Sequence, residues 1–221
     1  MDISFTEEEL AYRDELVNWL KDHLPKDWKQ RLKADPKGFH KWWQHELYEG
    51  GWTALNWPKE YGGREASAVE QLIYHTEMAK AGAPRPFSES GINIVGPTLM
   101  LHGTDEQKAF FLPKMLTGEH IWCQGFSEPN AGSDLAALRT KAEIDGDELV
   151  INGQKIWTSN AHNSDWMFAL VRTDFSKKHE GITYVLIEMG TPGMELRPII
   201  QISKDKGFSE VFFENVRVPI K

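Results

Sequence analysis

Gln124-Gly-Phe-Ser-Glu-Pro-Asn-Ala-Gly-Ser-Asp134 is the stretch on which the chain turns, and Asn152-Gly-Gln-Lys-Ile-Trp-Thr-Ser159 is its companion downstream. Ahead of the first piece, apolar residues recur at helical spacing. Behind it they fall in short blocks between turn formers. That change of period puts a domain boundary near residue 120. An α+β chain follows: an N-terminal helical bundle over 1–119, then a small antiparallel β-barrel or sheet over 120–221. The first piece packs Gly125, Ala131 and Gly132 with the hydroxyls of Ser127 and Ser133, so a ligand can approach backbone N–H groups. Asp134 reads equally as a helix cap or turn residue. Trp157 at a strand end reads, from the residues alone, as an ordinary core residue before it reads as a ligand contact.

Working outward, Thr6-Glu-Glu-Glu9 and Thr104-Asp-Glu-Gln107 are capping boxes that start helices. The first helix carries Leu10, Val17, Leu20 and Leu24 and is stopped by Pro25. Asp35-Pro36 opens a second, with Phe39, Trp42, Trp43 and Leu47 on one face and Gly50-Gly51 behind it. A third spans about Ser67 to Ala81 with Val69, Leu72, Ile73 and Met78 inward, and a fourth runs from about Ile92 to His102. Past the boundary, Lys141–Asp145 and Glu148–Ile151 form a strand pair. Asn152-Gly153 signals a second tight turn. Trp166–Val171, Gly181–Ile187 and Glu210–Phe213 are further strands.

Composition narrows the function. The 221 residues carry 33 acidic and 25 basic groups, for a formal charge of −8, and no basic block suited to nucleic acid. Cys123 is the single cysteine, which excludes an internal disulfide or a cysteine-rich zinc site and suits a reducing cytoplasm. No apolar run approaches the roughly 18 residues of a membrane span. Pro129 stands where a nucleophile elbow would close with glycine, so Ser127 is not read as a nucleophile. Neither a Gly-x-Gly-x-x-Gly nor a Walker loop is present. His45, His102 and His120 lack metal-ligand spacing.

The two quoted pieces resemble the acyl-CoA dehydrogenase family. So do Trp57-Pro-Lys-Glu-Tyr-Gly-Gly63, Gly103-Thr-Asp-Glu-Gln107, Leu112-Pro113, Gly118-Glu119 and Phe212-Phe-Glu-Asn-Val-Arg-Val-Pro219, in the family's order. The resemblance implies FAD as cofactor and α,β-dehydrogenation of an acyl-CoA thioester. It also implies an electron-transferring flavoprotein as acceptor and a homo- or hetero-oligomer. By resemblance, Gln124, Phe126, Ser127, Gly132 and Ser133 wrap the flavin. Ser133 also meets the CoA portion of the substrate. Trp157, Thr158 and Ser159 lie against the other flavin face, one of the two hydroxyls reaching N5. Asn130 replaces a frequent glycine, tolerable because Asn visits left-handed conformations. Thr158 replaces a commonly aliphatic residue.

The family's catalytic glutamate belongs to a C-terminal helical domain that the resemblance does not find before Lys221, so no residue here is assigned as the base. Glu128 belongs to the cofactor loop and is not promoted to that role. The expectation is a fragment of a longer dehydrogenase, inactive alone. The alternatives are a non-catalytic binding or assembly subunit of a heteromeric dehydrogenase, and an acyl-CoA oxidase.

Overall fold

A computed structural model describes residues 4–220; the first three residues of the acidic start and Lys221 lie outside it. The chain divides into two compact units, one ending at Glu119 and the other beginning at His120.

The first unit is built from α1 (Glu7–His23), α2 (Trp28–Ala34), α3 (Pro36–Glu49), α4 (Ala68–Ala81), α5 (Gly96–His102) and α6 (Asp105–Thr117). Thr6, Ser67 and Thr104 each cap a helix reciprocally with the residue three positions on, satisfying N–H groups that a helix start leaves bare. Leu16 and Leu20 of α1 are its deepest residues, and they meet Phe39, Trp43 and Leu47 of α3 and Tyr74 and Met78 of α4. Val69 and Leu72, expected to point inward, are instead 37% and 60% exposed, because α4 turns the face of Ile73, Tyr74 and Met78 to the core. The helix expected over 92–102 begins as a π turn at Gly91–Val95. Helix α2 was not expected; it is seven residues long and Asp27 makes no side-chain cap bond, so it carries little sequence signal. No helix among the described residues is long and apolar enough to cross a membrane.

The second unit is one curled sheet of β1 (Trp122–Gly125), β2 (Lys141–Asp145), β3 (Glu148–Ser159), β4 (Trp166–Arg172), β5 (Ile182–Glu188), β6 (Met194–Ile199) and β7 (Phe208–Pro219). The order is β1-β4-β2-β3-β7-β6, with β5 also on β4. Most pairs are antiparallel, but β1 runs parallel to β4, so the sheet is mixed. The long connection from β1 through the β2–β3 pair supplies the crossover that a parallel pair needs. Ile151, Met167, Ala169, Val171, Ile187, Val211 and Val216 form the fully buried centre. Strand β6 escaped the sequence reading because it contains Pro198, which an edge strand tolerates.

The turn expected at Asn152-Gly153 does not exist. The hairpin closes at Gly146-Asp147, and β3 continues from Glu148 through Ser159. What Gly153 marks is a bulge, where the register with β7 slips between Ile151 and Gly153. Its φ is +148°, and a Cβ there would stand 2.7 Å from Thr140 Cα. The same sequence signal thus served close backbone approach rather than chain reversal.

Candidate functional site

The loop leaving β1 is closed on itself. Glu128 and Ala131 exchange two backbone hydrogen bonds, 2.8 and 3.1 Å, around the exposed pair Pro129-Asn130. Asn130 is not among the residues with positive φ, so this turn needs no left-handed residue there. Gly132, Ser133 and Asp134 are exposed beyond it. A Cβ on Gly132 would meet nothing within 4 Å, and its φ is not positive. Nothing among the described residues therefore requires glycine at 132; the bare position leaves room on the outside. Asp134 makes no cap bond to the 3-10 turn Leu135–Ala137, and its carboxylate accepts from Lys178 Nζ at 2.9 Å.

Beneath the loop lies a buried ion pair. Lys155, on β3, is fully enclosed, and its Nζ donates to Glu128 Oε1 at 2.7 Å and to the Phe126 carbonyl at 3.3 Å. The Glu128 carboxylate also accepts from the backbone N–H of Arg139 (2.6 Å) and of Thr140 (2.9 Å). Burial works to raise the Glu128 pKa, but the hydrogen bonds from Lys155, Thr140 and Arg139 outweigh it and hold the carboxyl below the usual range. Burial pushes the Lys155 ammonium below the ordinary lysine range, with Glu128 opposing that shift. Glu128 is thus a fastener; a carboxylate with three donors already on it is a poor proton acceptor. Arg172, also buried, donates to the carbonyls of Ala136, Leu138, Lys177, Lys178 and Glu180, fixing the far end of the loop.

The two quoted pieces meet directly: the Ile156 N–H donates to the Ser127 carbonyl at 2.9 Å. One residue on, the β3–β7 register slips again between Lys155 and Thr158, and Trp157 takes φ +60°. This is left-handed backbone, uncommon for any residue with a Cβ and rarer for a bulky one. Trp157 is 57% exposed, with Phe208 edge-on at 6.2 Å, so it is no core residue. Because of the bulge, Thr158 faces in while Trp157 and Ser159 face out. Thr158 is fully buried opposite Ser209, and neither hydroxyl finds a partner among the described residues.

Of the residues named from sequence, Phe126, Ser127, Trp157 and Ser159 gather around this junction, with Gln124 at the end of β1 and Gly132 and Ser133 on the exposed limb of the loop. Phe126 sits edge-on to Phe168 at 5.5 Å. Sequence reading gave Lys155 and Arg172 no role. Lys155's partners Phe126 and Glu128, and Arg172's partners Ala136 and Leu138, lie 27 or more residues upstream in the loop, and no spacing rule announces such pairs. An inward-facing lysine between the apolar positions of a strand was the one available hint.

Residues 6–119 match the model of the acyl-CoA dehydrogenase N-terminal domain, and residues 123–216 that of the middle domain. The chain belongs to the acyl-CoA dehydrogenase family. Among relatives of this family, acyl-CoA dehydrogenase IpdE1 of Mycobacterium tuberculosis is 47% identical over 176 residues, covering 79% of this chain and 46% of that protein. Among solved structures, the ChsE4–ChsE5 complex of M. tuberculosis superposes with a TM-score of 0.87 at 40% identity, covering all of this chain and 56% of the other. The Tcur3481–Tcur3483 steroid ACAD gives 0.84 at 37% identity, covering 100% of this chain and 57% of that one. This acyl-CoA dehydrogenase chain therefore spans about half the length of the relatives it matches.

Proposed function

We propose that this chain supplies the N-terminal and middle domains of an FAD-dependent acyl-CoA dehydrogenase, its β1 loop and the end of β3 forming one wall of the flavin site. Trp157 carries the reading: a large aromatic ring held outward on left-handed backbone offers a planar ligand a flat apolar surface. The open space at Gly132 and the hydroxyls of Ser127, Ser133 and Ser159 suit a polar, ring-bearing cofactor. FAD, when bound, supplies a two-electron acceptor for hydride from the thioester's β carbon.

The chain's own residues bind and orient. Phe126 and Ser127 present backbone and hydroxyl donors, fixed before any charge develops. Ser133 is assigned to the CoA portion of the substrate. Of the two hydroxyls after Trp157, Ser159 is assigned to the ring, since it shares the exposed face with the indole while Thr158 lies inside. No residue of the chain is assigned proton abstraction. An electron-transferring flavoprotein is the proposed acceptor of the electrons. In the complete protein, acyl-CoA added without oxygen should bleach the flavin. A protein that holds flavin and never bleaches with any thioester overturns the dehydrogenase reading.

Pairing with a second, related subunit is the reading that the two-component names of the ChsE4–ChsE5 and Tcur3481–Tcur3483 structures favour. The latter's description as a steroid ACAD makes bulky, ring-bearing acyl-CoA thioesters the first substrates to try. Co-expression with a companion of the same family should give a single species of mixed composition. Flavin-loaded, active protein containing one kind of chain alone would favour the homo-oligomer.

A further inference from the structure

The buried Glu128–Lys155 pair does more than hold the loop down. A trans peptide points its carbonyl and its N–H in opposite directions, and no peptide among the described residues is cis. Lys155 Nζ, fully enclosed, draws the Phe126 carbonyl toward the interior. The N–H of the same peptide, that of Ser127, must then point outward, and it finds no acceptor among the described residues. The next peptide is pinned as well, its carbonyl accepting from Ile156 N–H and its own N–H, on Glu128, committed to Ala131. The Ser127 N–H is thus turned outward by a peptide fixed at its carbonyl, and the peptide after it is tied at both ends.

We infer that Lys155, seated by Glu128, is a positioning residue that aims the Ser127 N–H at an acceptor on the bound ring. The inference rests on the flavin reading above. Lys155 touches neither cofactor nor substrate. Its ammonium fixes one peptide plane, and the carboxylate of Glu128 keeps that ammonium in place through two further backbone bonds to Arg139 and Thr140.

The test uses the complete protein and flavin as the probe. Removing both charges together, as Glu128→Gln with Lys155→Met, avoids stranding one ion and preserves volume, so folding should survive. The double variant should keep its circular dichroism and melting behaviour yet bind FAD about tenfold more weakly, the loss of one donor to the ring, with a shifted flavin absorption band. Wild-type affinity and spectrum in the folded double variant overturn the positioning role. Amide exchange on unsubstituted protein tests it without any variant. The Ser127 N–H should exchange freely in flavin-free protein and become protected on adding FAD. Protection before FAD is added shows an internal acceptor and overturns the inference. A wild-type protein with no affinity for FAD instead sinks the flavin reading beneath it.

Discussion

Trp157 is held at φ +60° with more than half its surface open, where its own chain gains little from it. Left-handed backbone costs a residue with a Cβ about 1–2 kcal/mol. Glycine relieves that strain, gives back about 1 kcal/mol in chain entropy, and forfeits an edge contact with Phe208 of about 0.5–1.5 kcal/mol. These terms nearly cancel. Trp157→Gly should therefore leave the chain's unfolding free energy within about 1 kcal/mol of wild type while weakening flavin binding in the complete protein. A stability loss of about 3 kcal/mol or more, the range of a deleted core aromatic, would return Trp157 to an ordinary packing role.

Strand β3 is the element that brings the site together, and its two register slips are the reason. At Gly153 the strand passes so close to Thr140 that a Cβ would lie 2.7 Å from its Cα and 2.8 Å from its Oγ1. Thr140 in turn gives its N–H to Glu128, so a displaced Thr140 disturbs the cofactor loop. Gly153→Ala should cost about 1–3 kcal/mol from overpacking, added to the strained φ. Gly146→Ala, with φ +64° at an open hairpin turn, should cost about 1–2 kcal/mol from backbone strain alone. Urea titration of the two variants checks the order; equal losses would mean that Thr140 moves aside freely. The same strand shows what the sequence made legible. Asn152-Gly153 announced a backbone irregularity at the right place, but turn and bulge use the same residues, and only pairing with β7 distinguishes them. The capping boxes at Thr6 and Thr104 were readable because each is complete within four residues. Lys155 and Arg172 were not, because their value depends on partners brought from distant parts of the chain. The left-handed backbone that turns Trp157 outward was equally hidden, since it sits at a register slip that only pairing with β7 reveals.

Across the whole molecule, 33 carboxylates against 25 basic side chains make acid the condition under which most charge is lost, yet most of the ion pairs described are at the surface and contribute little. Glu128 differs because its partner is fully enclosed. Its folded-state pKa lies below the ordinary value of 4.5, so the folded chain holds that proton more weakly than the unfolded chain does. The resulting stabilisation is complete above pH 4.5 and is lost as pH falls through the folded-state value. Glu128→Gln leaves Lys155 charged and buried beside a neutral amide, a loss of about 3–5 kcal/mol near neutrality. In urea titrations across pH, the gap between wild type and Glu128→Gln should be widest near pH ~7 and narrow steadily below the ordinary glutamate range, as the wild-type carboxyl takes up its proton. The direction follows from geometry: a protonated Glu128 resembles the amide that replaces it, and both leave the Lys155 ammonium without a counter-charge. A gap that stays constant down to acid pH would show that Glu128 stabilises the fold by packing and neutral hydrogen bonds alone, with no part for its charge.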